Sequence, residues 1–177
     1  MKTNQWLALC ILVVSLGFAP TLAAQSPNAP PPAPVPPQIM AAQKVFISNA
    51  GGESFESVIR QTVFHGGPDR PYNQFYAAIK TWGRYEVVPA PADADLVLEI
   101  SWALQDTGLK LPVLGQIRVV IVDPKTHIAL WSFTEYVRGA LLLGNRDKNF
   151  DQAMDTVVER MKKLVTPAAA ATEGERK

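Results

Sequence analysis

The chain has 177 residues, 17 basic and 16 acidic, with two histidines and one cysteine. That near-balance excludes the basic surplus or stripe by which nucleic-acid binders are usually recognised. A single cysteine excludes an intramolecular disulfide framework and a cysteine-ligated zinc, and the length allows one ordinary hydrophobic core of about 120 residues once the ends are set aside.

Residues 1–24 read as a signal peptide. Lys2 supplies the positive start, Trp6 to Phe18 the apolar run, and Thr21-Leu22-Ala23-Ala24 the small residues before a cut. Cleavage is expected after Ala24, with Ala23 as the second choice. The alternative is an uncleaved anchor, because Trp6 to Ala24 approaches the ~20 residues of a membrane span. Cys10 does not suit lipidation, since Leu9 is too large for the position before an acceptor cysteine. Losing the leader removes Lys2 and Cys10. The remainder has no cysteine and 16 basic residues against 16 acidic ones, a formal charge of zero.

Residues 25–43 read as a linker, with seven prolines between Pro27 and Pro37. Missing donors and fixed φ angles make it a semi-extended polyproline spacer that packs as neither helix nor sheet. Residues 44–166 are the expected globular domain. Lys44 to Ser48 is its first strand, and Asn49-Ala50-Gly51-Gly52 turns the chain into a helix over Ser54 to Val63. The glycine spacing fits neither the dinucleotide nor the P-loop pattern. His65 to Pro71 is loop punctuation. From Asn73, Phe75, Ile79 and Trp82 follow helical spacing up to Gly83, a left-handed stop. Arg84 to Val88 is a short second strand, so a β-α-β unit with parallel strands is predicted.

Ala94 to Val137 carries the clearest pattern. Leu96, Leu98, Ile100 and Trp102 alternate with Val97, Glu99 and Ser101, and Ile117, Val119 and Ile121 share one face of the next run. Asp123-Pro124-Lys125-Thr126 is a type I turn sequence leading into His127 to Val137. These three runs predict an antiparallel meander. Asn145 to Val165 is an amphipathic helix on Phe150, Met154, Val157, Met161 and Leu164, with Asn149 and Gln152 resembling a capping box and Pro167 as its stop. Residues 167–177 are expected to be a disordered tail. The fold class is therefore α/β: a single mixed sheet, a β-α-β unit followed by an antiparallel meander, with two or three helices packed on it.

The succession "TWGRYEVV", "ADLVLEI", "IRVVIVDPKTHIALW" and a closing amphipathic helix resembles a bacterial envelope module. Examples of that module are the amino-terminal domain of the Tol-Pal translocation protein TolB and related domains of curli secretion and of penicillin-binding-protein activators. The resemblance spans Lys44 to Val165 and implies this fold with a binding or assembly role. It carries over no catalytic position. Two features depart from it: the chain has no usable lipobox, and no propeller follows.

No motif amounts to a catalytic site. His65 and His127 stand apart without a ligand partner at helical or strand spacing, so no metal site and no cofactor is expected. Asp93 and Asp95 form a D-x-D that fits turn and strand-start roles. Glu99, Glu135 and Asp123 are the carboxylates from which glycoside chemistry would have to be built.

The apolar loops offer more. A meander brings the loop between its first two strands and the segment after its third to one edge, which gathers Leu109, Leu111, Val113 and Leu114 with Leu141, Leu142 and Leu143. They either close the end of the core or form an exposed patch, which soluble monomers seldom keep without a partner. The resulting expectation is an exported, periplasmic or envelope-associated domain without enzymatic activity, docking on an unknown envelope protein or on itself. Nucleic acid is excluded, and membrane contact runs only through an uncleaved leader. The alternatives are a small-ligand or glycan module using Trp82, Trp102 or Trp131 as stacking surfaces, and, behind it, a hydrolase.

Overall fold

A computed structural model describes residues 33–52, 64–105 and 114–166. The pattern of alternating apolar residues becomes a single open mixed sheet. Its strands are β1 (Lys44–Gly52), β2 (Glu86–Val87), β3 (Leu96–Gln105), β4 (Leu114–Val122) and β5 (Ala129–Val137), in the spatial order β2-β1-β3-β4-β5. β1 runs parallel to both β2 and β3, and β3-β4-β5 is the antiparallel meander.

Register explains why one face is dry. Leu98 lies opposite Ile121, Ile100 opposite Val119 and Trp102 opposite Ile117. Because side chains alternate along each strand, these pairs stack in rows on the same face. Val45 and Ile47 extend the rows through their pairing with Leu96 and Leu98. Three helices, α1 (Pro37–Ala41), α2 (Arg70–Trp82) and α3 (Leu143–Val165), bury their apolar stripes in the same cluster. Phe75 and Ile79 come from α2, and Phe150, Met154, Val157 and Met161 from α3.

Several boundaries moved, each for a local reason. β1 continues through Gly52 with an irregularity between Asn49 and Gly52, so the glycine pair makes a bulged strand end instead of a loop. Gly51 takes φ 80°, the left-handed conformation glycine tolerates, and its N–H donates to Asn49 Oδ1 at 3.0 Å. α2 starts at Arg70, three residues earlier than its apolar spacing suggests, because Pro71 suits a first helical turn that needs no donor. It ends at Gly83 with φ 70°, as expected. β2 is only two residues long and pairs with the first residues of β1, so Pro89 to Asp95 can return to β3 without a second crossover helix.

α3 starts at Leu143, so Asn149 lies in its second turn and the capping box does not form. Asn149 Nδ2 instead donates to the Arg138 carbonyl at 2.9 Å. The proline-rich segment differs most. Pro37–Ala41 is a one-turn helix, and Ile39 and Ala42 are buried in the core, so the packed unit begins at Pro34 and not after residue 43. Pro37 at the first helical position costs no hydrogen bond, which is how a proline run can still enter a helix. The expected helix over 54–63, the leader and the tail over 167–177 lie outside the described residues.

Candidate functional site

The ladder places the end of β3, the start of β4 and the end of β5 together. Gln105 pairs with Leu114, and Gly115 lies between Leu104 and Val137. Gln105, Leu114 and Val137 thus lie at the end of the sheet from which Leu141 and Leu142 follow. Leu114 opens β4; Leu109, Leu111 and Val113 fall outside the described residues. Beyond β5, Leu141 is 83% and Leu142 69% exposed, while Leu143 is half-buried as the first residue of α3.

The two leucines are held in place by the start of α3. Arg146 Nε donates to the Ala140 carbonyl at 2.7 Å and its Nη2 to that of Leu141 at 3.3 Å. The Leu142 carbonyl accepts from the N–H groups of Asn145 and Arg146, both at 3.1 Å. With Asn149 on Arg138, four of the carbonyls from Arg138 to Leu142 are bound by α3. The backbone of this segment is thus bonded to the start of α3 while the Leu141 and Leu142 side chains stay exposed.

They are not needed to close the core. Phe64, Trp102 and Phe150 do so, with ring centroids 5.2 Å apart for Phe64–Trp102, 4.7 Å for Phe64–Phe150 and 5.5 Å for Trp102–Phe150. The Trp102 indole lies over Gly115, where any Cβ would overlap the ring. Trp102 is 6% exposed and thus offers no stacking surface for a sugar; Trp82 and Trp131 are half-buried against the core.

Behind this aromatic group lies a polar cluster that the sequence did not reveal. Arg70 covers Phe64 and Phe150, its guanidinium 5.5 and 4.7 Å from their ring centres, and donates to Asp147 and to Asp151 at 2.7 Å. It also donates to the His65 carbonyl at 2.8 Å. Asp147 meets the His65 ring through Nδ1 and accepts from the His65 N–H at 2.9 Å. Burial works against ionisation of Asp147, but the bonds to the His65 ring and N–H, then those from Arg70 with its charge, outweigh it and hold the carboxyl at about 2. A histidine oriented by a carboxylate resembles part of a catalytic triad; among the described residues no hydroxyl or thiol is a hydrogen-bond partner of its ring. The cluster ties the segment entering α2 to α3.

The other candidate carboxylates are apart and occupied. Asp95 Oδ2 accepts from the Gln43 and Lys44 N–H groups, both at 2.9 Å, and these bonds lower its pKa. Asp123 accepts from Lys125 N and Thr126 Oγ1, both at 2.9 Å, within its turn. Glu99 pairs with Val120 and Glu135 with Ile117, so the two glutamates belong to opposite faces of the sheet. They do not form the facing pair a glycosidase needs. Asp95 and Asp123 do border one open hollow of about 390 Å³ with Gln38, Ala42 and Lys125, at the opposite end of the meander from the leucines. Among the described residues no group of three or more histidine, cysteine or acidic side chains could hold a metal.

No family model and no curated protein matches the chain. Solved structures are similar at low identity. One is the PelC dodecamer from Paraburkholderia phytofirmans (17% identity, TM-score 0.43, 70% of this chain and 87% of that one). Another is protein XCC0632 from Xanthomonas campestris, of family model DUF330 (13%, 0.43, 70% and 84%). A third is lipoprotein GNA1162 from Neisseria meningitidis (15%, 0.40, 70% and 99%). Likeness at this level bears on neither activity nor partner.

Proposed function

We propose that this chain is an exported, non-enzymatic domain of the bacterial envelope whose work is docking, and that the end carrying Leu141 and Leu142 makes the contact. The observation that carries this reading is the exposure of two adjacent leucines on a backbone fixed by Arg146 and α3. Exposing them costs solvation free energy and the aromatic group beneath has no need of them, so their use lies outside the domain. Export rests on the leader-like residues 1–24, and the kinship with the TolB amino-terminal module rests on the sequence pattern alone.

The chain from Gln25 onward contains no native cysteine, so a single Leu142→Cys thiol reports on this end. In envelope fractions that thiol should be protected from a water-soluble maleimide relative to the purified chain. A Lys163→Cys thiol, at the far end of α3, should not be. Equal labelling of both positions in both settings refutes the docking reading.

A further inference from the structure

We propose that the occupant of this apolar end is an anionic lipid surface, into which Leu141 and Leu142 insert while Arg138 and Lys148 meet the headgroups; the inference rests on the docking reading above. Charge is the first argument. The zero net charge of the chain without its leader hides a local imbalance: residues 136–146 hold two arginines and no acid. Arg138, directly after β5, and Lys148, in the second turn of α3, are exposed. Among the described residues neither has a carboxylate within ion-pair distance.

Among the described residues the acids near this end have partners. Asp147 and Asp151 are held by Arg70, Asp147 also by His65, and Asp69 Oδ1 accepts from Asn49 Nδ2 at 3.2 Å. Glu135 pairs with Arg160. The amino end of α3, the positive end of a 23-residue helix dipole, has no acidic residue in its first turn to offset it. The segment that carries the leucines, residues 136–146, is thus basic.

Size is the second argument. Among the described residues the large apolar side chains exposed at this end are Leu141, Leu142 and Tyr136, which fall well short of the roughly 800 Å² that a standard protein interface buries on each partner. Insertion into a lipid interface needs no complementary surface. It gains from each apolar group buried and from each cation brought to anionic headgroups, and the two together give a hold that neither gives alone. Among the described residues no helix is long and apolar enough to cross a membrane.

Flotation with vesicles tests this, using the chain from Gln25 onward so that the apolar leader plays no part. The chain should float with phosphatidylcholine–phosphatidylglycerol vesicles and much less with phosphatidylcholine alone. Replacing Arg138 and Lys148 by glutamine should lower partition to the anionic vesicles about fivefold per cation removed. Leu141→Ser/Leu142→Ser should abolish it, with an unchanged thermal melt showing that the variant folds. The inference is overturned if the native chain floats with neither vesicle, or if the serine variant floats as the native chain does. Protection of Leu142→Cys in envelope fractions without vesicle binding would also overturn it, leaving docking intact with a protein partner. A dimer split by the serine substitutions, again without vesicle binding, would do the same in favour of a second copy.

Discussion

Gly115→Ala is a one-methyl change whose sign depends on the tertiary structure. In a strand interior, alanine is ordinarily favoured over glycine by about 0.5–1 kcal/mol, because glycine loses more backbone freedom on folding. Gly115 sits in β4 between Leu104 and Val137, and its φ is not positive, so the backbone itself accepts alanine. The obstacle is the Trp102 indole, which occupies the space a Cβ would fill. To make room the ring must tilt and loosen its edge contacts with Phe64 and Phe150, each worth about 0.5–1.5 kcal/mol beyond area burial. Overpacking of this kind typically costs about 1–3 kcal/mol, so Gly115→Ala should destabilise by about 2 kcal/mol. Urea denaturation followed by tryptophan fluorescence measures it. Trp102→Leu, which removes the indole, should itself destabilise by about 2–4 kcal/mol but make the second substitution nearly harmless. The pair should therefore couple by at least about 1 kcal/mol in a double-mutant cycle. Additive effects, or a stabilising Gly115→Ala, would refute the packing account.

Ile39→Ala should cost about 2–4 kcal/mol in a thermal or urea melt despite its place in the proline-rich segment, because its side chain is fully buried. A melt unchanged by this substitution would return residues 37–41 to the spacer. The folded-state pKa of Asp147 lies below its ordinary 3.8, so its contribution is present above about pH 4 and is lost as pH falls through about 2. Melts across that window should show Asp147→Asn to be less stable than the native chain by about 1 kcal/mol at neutral pH and to lose less on acidification. Leu141→Ser/Leu142→Ser should shift stability by no more than about 0.5 kcal/mol, as expected for exposed side chains. A large loss would instead make these leucines part of the core.

Local patterns carried most of the fold. Alternation assigns Leu96, Leu98, Ile100 and Trp102, and with them Ile117, Val119 and Ile121, to one face, because successive side chains of a strand point to opposite faces whatever surrounds it. Phe75 and Ile79, and Phe150, Met154, Val157 and Met161, likewise mark the buried stripes of α2 and α3, and all six are buried. The turn at Asp123 and the stop at Gly83 are equally local, each set by the chemistry of a few adjacent residues. From the ladder of a meander it also follows that the end of β3 and the end of β5 share one end of the sheet.

Other features depend on long-range packing. Spacing alone does not say whether Leu141 and Leu142 close the core. Phe64, Trp102 and Phe150 arrive from three separate parts of the chain to fill that end, and only their meeting leaves the leucines outside. Ile39 looked like part of a spacer because proline content predicts the backbone of its own segment and not what a single isoleucine finds to pack against. His65, Arg70 and Asp147 become a cluster only when α2 and α3 pack, since 82 residues separate the histidine from the aspartate and 77 the arginine from it. Composition gave a charge near zero, yet folding pairs Asp147 and Asp151 with Arg70 and leaves Arg138 and Lys148 exposed. Sequence determined which residues form the scaffold because that information is periodic and local; tertiary structure decided that Leu141 and Leu142 stay exposed because exposure is a property of all the elements that converge there.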